Sequence, residues 1–131
     1  MFTSKLFRVA YAISQAEGWR ASTQNAPYSY GTASWSNHNP GNLRSSPFQA
    51  GVTQDGFAVF ENDLVGFYAL VWQLWVYAGG GFPPVPKHDT IGQAISTYNG
   101  LDINSPAFNN YMDIIEKVGG VSRNDPIGSI L

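Results

Sequence analysis

The chain reads as a single helix-dominated α+β domain, residues 1–131, in which a small antiparallel sheet lies beside a helical lobe with a buried central helix. Three observations predict this. Apolar residues recur at helical spacing over residues 6–13, 64–78, 91–95 and 108–115. A short Asp-Gly turn, Asp55-Gly56, separates two β-prone runs. The stretch from Leu64 to Ala78 is apolar on every side, as expected of a helix at the centre of a domain.

The elements follow in order. Thr3 or Ser4 caps a first helix carrying Leu6, Val9, Ala10 and Ile13, and Gly18 stops it. Residues 19–36 are rich in Ser, Thr, Asn, Gly and Tyr without a clean period, and read as loop. Asn39-Pro40-Gly41-Asn42 is a strong turn signal, after which Leu43-Arg44 is expected as a short strand. Gly51-Val52-Thr53 and Phe57-Ala58-Val59-Phe60 are expected to pair as a hairpin. Asn62 or Asp63 caps the central helix, whose main face is Phe67, Leu70, Val71, Leu74 and Trp75, and Gly79-Gly80-Gly81 ends it. Asp89 is expected to cap a helix from Thr90 to Tyr98 with Ile91, Ala94 and Ile95 inward. Ser105-Pro106 opens a last helix to about Val118, with Phe108, Tyr111, Ile114 and Ile115 inward.

Composition narrows the functions. Without cysteine, disulfides, thiolate metal sites and a cysteine nucleophile are excluded. A net charge of −2 does not supply the basic face a duplex nucleic-acid binder needs, so no nucleic-acid partner is expected. No apolar run reaches the ~20 residues of a membrane span, and no export signal is visible at the N-terminus. Charged residues make up 12% of the chain against an average of roughly 25%, while 15% are aromatic. That balance fits a polar, uncharged ligand such as carbohydrate, but on composition alone a well-packed small domain fits it better. Signatures of nucleotide binding, serine esterases and zinc proteases are missing, and neither a metal nor a cofactor is expected.

Glu17 is the most informative residue. It follows Ile13 by four positions and so projects from the apolar stripe of the first helix, in its last turn. Apolar surroundings and the negative end of the helix dipole both disfavour its ionised form, which suits a general acid; a surface glutamate at a frayed helix end is the plainer reading. Asn37, Asn39 and Asn42 offer amides that match sugar hydroxyls and acetamido groups, or serve only as turn residues. Tyr98-Asn99 faces a cleft or merely ends a helix. Asp55, Glu61 and Asp63 are the candidates for a second carboxylate. His38 and His88 lack a second ligand at helical spacing.

Three segments resemble the lysozyme-like superfamily, in particular small phage and bacterial peptidoglycan-cleaving domains. Ala12-Ile13-Ser14-Gln15-Ala16-Glu17-Gly18-Trp19 is similar to the helix that ends in that superfamily's catalytic glutamate. Asn37-His38-Asn39-Pro40-Gly41-Asn42-Leu43-Arg44, followed by Gly56-Phe57-Ala58-Val59-Phe60-Glu61 and Gly66-Phe67-Tyr68-Ala69-Leu70, resembles a pattern of phage virion and prophage proteins. Ile95-Ser96-Thr97-Tyr98-Asn99-Gly100, with Tyr111 and Ile114, looks like the Tyr-Asn helix end of lytic transglycosylases. The chain departs from the transglycosylase pattern in having Gly18 after the glutamate and an Asn-Pro-Gly-Asn turn in place of a Gly-Leu-Met-Gln type segment.

The resemblance implies a lysozyme-like fold that cleaves the β-1,4 bond between N-acetylmuramic acid and N-acetylglucosamine, with Glu17 as general acid. It implies that Asn39, Asn42, Tyr98 and Asn99 bind the sugar and that Tyr30 or Trp35 stacks on it. Peptidoglycan glycan strands are the expected partner of a monomer acting at the bacterial cell wall, in a phage virion or after release by lysis. The alternatives are a non-catalytic glycan-binding or virion structural module on the same fold, or a chitin- or chitosan-cleaving enzyme.

Overall fold

The computed structural model describes residues 2–19, 36–80 and 88–131. They form a mainly helical α+β structure of four α-helices and one two-stranded antiparallel sheet. The order is α1 (Ser4–Ala16), β1 (Gly51–Val52), β2 (Ala58–Val59), α2 (Asp63–Tyr77), α3 (Ile91–Asn99) and α4 (Pro106–Gly119), closed by a 3-10 turn at Ile127–Ile130.

Each helix starts where a side chain satisfies an orphan backbone amide. Thr3, Asn62 and Ser105 accept from Leu6, Val65 and Phe108. Thr90, not the expected Asp89, caps α3, because Gln93 completes a reciprocal capping box with it. Gly100 and Gly120 end α3 and α4 in the left-handed conformation.

The helical core joins Leu6, Val9 and Ile13 of α1 to Leu70 and Leu74 of α2, Ile91 and Ile95 of α3, and Phe108, Met112 and Ile115 of α4. The principal helix–helix packing is α1 against α4. A Cβ on Gly119 would sit 3.6 Å from atoms of Val9 and Ala12, so the two helices approach closely there. The same pair meets again at Glu17 and Tyr111, so α4 runs antiparallel to α1.

Two expectations about faces need correction. Helix α2 is not buried all round: Leu64 is 80% exposed and Tyr68 48%, while Gly66, Ala69, Leu70, Val71 and Leu74 form its buried face. In α4, Ile114 is 37% exposed and Met112 takes the inward position, since residues one turn from Phe108 and Ile115 face the core.

The hairpin pairs Gly51 with Val59 and Val52 with Ala58, as the Asp55-Gly56 signal predicts. Leu43-Arg44 forms no strand; a single bond from the Ala58 amide to the Leu43 carbonyl, 3.0 Å, ties it to β2. Leu43, Ala58, Phe60 and Ala69 make a second small core, and Tyr98 packs against both cores.

Candidate active site

Glu17 is the C-cap of α1, and local backbone chemistry fixes it. The Gly18 amide bonds the Gln15 carbonyl at 3.1 Å, and the Trp19 amide bonds the Ser14 carbonyl at 2.9 Å. This is the Schellman pattern, with Gly18 at φ 85°, a conformation glycine adopts without steric cost. The chain reverses at a defined point, and Trp19 is buried behind it.

The Glu17 carboxyl is half-buried. The Tyr111 hydroxyl donates to its Oε2 at 2.6 Å, and Asn42 forms a second side-chain bond to it. Burial pushes its pKa above the ordinary carboxylate value, and the bonds from Tyr111 and Asn42 offset this only in part. Tyr111 and Tyr98 are themselves raised, first by burial and then by the nearby Glu17 charge. Glu17, Asn42, Tyr98 and Tyr111 therefore act on one another electrostatically.

The turn that delivers Asn42 is built from its own residues. The Asn42 amide donates to the Asn39 carbonyl at 3.0 Å, closing the turn over Pro40 and Gly41. Asn42 sits at φ 51°, which asparagine tolerates better than most residues. Gly41 is required for another reason: a Cβ there would lie 2.5 Å from the Tyr98 hydroxyl oxygen and 2.7 Å from a Leu70 methyl. The Tyr98 hydroxyl donates to the Gly41 carbonyl. Gly66 plays the matching part on α2, where a Cβ would lie 1.9 Å from the His38 carbonyl oxygen.

Asn39 does not offer its amide to a ligand. It is fully buried, its Nδ2 donates to the carbonyls of Leu43 and Ala58 at 2.9 Å each, and its Oδ1 accepts from the Leu43 amide at 2.9 Å. Its chemistry is that of a turn clamp to β2. Asn99 uses Oδ1 to accept from Leu101. Its Nδ2 and the Oδ1 of Asn42 are buried polar atoms with no hydrogen-bond partner among the described residues. Tyr30 and Trp35 lie outside the described residues.

Beside Asn42 and Tyr98 opens a cleft of about 220 Å³, also lined by Leu43, Arg44, Ser45, Gln73 and Tyr77. Its wall shares Asn42 and Tyr98 with the surroundings of Glu17. Sequence reasoning placed Tyr111 in the core and passed over Gln73 and Tyr77. Tyr111 had a readable signal, because its hydroxyl is the polar atom on an otherwise apolar stripe of Phe108, Met112 and Ile115. The Gln73–Tyr77 pair had one too, at the i, i+4 spacing that puts two side chains on one helix face.

The other candidate carboxylates have separate surroundings. The Asp55 carbonyl accepts from Arg44 and Asp63 pairs with His38 Nδ1 at 2.9 Å, while Glu61 is exposed. The chain's nine acids all lie in the described residues, and no second carboxylate is among the groups that shift Glu17. Among the described residues there is no group of three or more His, Asp or Glu suited to a metal ion, and no helix long and apolar enough to cross a membrane. In comparisons with known proteins, no family model, curated protein or solved structure matches the chain.

Proposed function

We propose that the chain cleaves the β-1,4 glycosidic bond between N-acetylmuramic acid and N-acetylglucosamine in peptidoglycan, with Glu17 as general acid. The observation that carries this reading is the Glu17 carboxyl itself: fixed at a helix end, raised in pKa by burial, and held by Tyr111 and by Asn42, which also lines the neighbouring cleft. A carboxyl that holds its proton to higher pH than an ordinary carboxylate can donate it to the glycosidic oxygen as charge develops at the anomeric carbon. In lysozyme, likewise, an apolar pocket raises the pKa of the glutamate that acts as general acid. The resemblance of residues 12–19, 37–44 and 95–100 to lysozyme-like sequences points the same way.

In this reading the acid works without a second carboxylate. As the bond to the protonated glycosidic oxygen breaks, the substrate's own acetamido or 6-hydroxyl oxygen bonds to the anomeric carbon; the 6-hydroxyl gives its proton to the Glu17 carboxylate as it does so, and an anhydro-muramyl product is released. Asn42 and Tyr98, which line the cleft, contact hydroxyl and acetamido groups.

The test is Glu17→Gln, with digests of purified peptidoglycan read by mass spectrometry. Wild-type protein releases anhydro-muramyl fragments and the variant releases none. Undiminished cleavage by the variant sinks the assignment, and reducing ends in place of anhydro ends select hydrolysis. Glycan binding without any product selects a non-catalytic module, and cleavage of chitin but not peptidoglycan selects a chitinolytic enzyme.

A further inference from the structure

Arg44 stands at the rim of the cleft, and two contacts hold its head in place. Its guanidinium carbon lies 4.0 Å from the centre of the Phe57 ring, and Nη1 donates to the Asp55 carbonyl at 2.9 Å. Neither contact neutralises the charge. Ion pairs among the described residues, which include all nine acids, join His38 to Asp63 and Arg123 to Asp113 and Glu116; none involves Arg44. The rest of the cleft wall is uncharged: Asn42, Leu43, Ser45, Gln73, Tyr77 and Tyr98.

A guanidinium has five N–H donors in a planar fork. Here the Asp55 carbonyl takes one and an aromatic ring supports the plane, so the others remain for an acceptor at the cleft. A planar fork with reduced rotamer freedom matches the two oxygens of a carboxylate, whereas neutral hydroxyls gain less from it. The amide and phenol groups beside it suit the uncharged part of a saccharide.

We propose that Arg44 is a specificity-determining residue of this cleft, taking a carboxylate displayed beside the sugar and so selecting acid-bearing glycan over neutral chitin. The inference rests on the glycan reading of the site and names the substrate class within it. The carboxylate comes either from the lactyl group of muramic acid or from a stem peptide attached to it.

The test is binding by chemical-shift titration at low salt, using two acid ligands and the neutral amide of each. N-acetylmuramic acid presents the lactyl carboxylate, and muramyl dipeptide presents a peptide carboxylate with the lactyl group already amidated. Wild-type protein prefers at least one acid over its amide by about tenfold, as expected for a charge-assisted pair, and salt reduces the preference. Arg44→Gln brings the preference close to one, and Arg44→Lys leaves it intermediate because charge stays but the fork is lost. Wild-type protein that binds acid and amide alike, or binds neither, overturns the proposal. So does an Arg44→Gln variant that keeps the preference. Cleavage is scored separately: an acid preference that depends on Arg44 without product release refutes the glycosidase reading and leaves this proposal standing.

Discussion

Gly41→Ala isolates the contact that joins the turn to α3. The added Cβ would meet the Tyr98 hydroxyl oxygen at 2.5 Å and Leu70 methyls at 2.7 and 3.2 Å, where ordinary contacts begin near 3.4 Å. Leu70, fully buried, yields only by turning its χ2 to carry the methyl carbon away. Tyr98 must move by roughly 1 Å, which breaks its bond to the Gly41 carbonyl. Overpacking costs about 1–3 kcal/mol and the lost hydrogen bond about 1 kcal/mol more. Stiffening the unfolded chain returns about 0.4–1 kcal/mol, since Gly41 is not at positive φ. The net loss is about 1–3.5 kcal/mol, or about 4–13 °C in Tm for a chain of 131 residues. Calorimetry of Gly41→Ala, Tyr98→Phe and the double variant measures both the loss and its cause. Removing the Tyr98 hydroxyl should cost about 1–2 kcal/mol alone, yet relieve the clash when combined, giving a coupling of at least about 1 kcal/mol. A Gly41→Ala protein melting within about 2 °C of wild type, or strictly additive losses, would refute the reasoning.

Asn39→Ala takes away the partner that Asn39 gives the Ala58 carbonyl and the Leu43 amide, while the Leu43 carbonyl keeps the Ala58 amide, and should cost about 2–4 kcal/mol in urea unfolding, against a few tenths for a solvent-facing turn asparagine. Glu17 has a raised folded-state pKa, so its protonated form favours folding. That contribution is complete below the unfolded carboxylate pKa and is lost as pH rises through the folded value. Glu17→Gln should accordingly melt above wild type at neutral pH, with the gap closing toward acid; a constant gap across a pH series of melts contradicts this. Tyr111→Phe removes a bond that lowers the Glu17 pKa, so the high-pH limb of glycan cleavage should move to higher pH, read from initial rates across pH. Its stability cost should be about 1 kcal/mol at neutral pH.

Much of the local structure was legible because it depends on neighbours in sequence. Thr3, Asn62 and Ser105 act as caps through amides three residues away, and Gly18, Gly100 and Gly120 mark chain reversals by φ alone. The Asp55-Gly56 turn marked the hairpin between its two runs. Faces were harder. The uniformly apolar α2 has no period to orient it, so Leu64 and Tyr68 were placed in a buried helix although they face outward. The Thr90 cap was missed because Asp89 and Thr90 are both good caps and only Gln93, reaching back, decides between them.

At the candidate site, the sequence alone determined that Glu17 ends an amphipathic helix and that a Pro-Gly turn flanked by asparagines follows it. Those are facts of spacing and backbone preference. Tertiary structure decided everything that turns on distance between remote residues. It put the Tyr111 hydroxyl 2.6 Å from a carboxyl 94 positions away, and brought Tyr98 onto Gly41. It also divided two similar asparagines between opposite tasks. Asn39 is enclosed by β2 and spends its amide on the backbone, whereas Asn42, three residues on and in the left-handed conformation, turns toward Glu17 and the cleft. The physical reason is that burial and pairing belong to the packed surroundings of a side chain, and the elements that surround these two come from β2, α1 and α3, which no local pattern brings together.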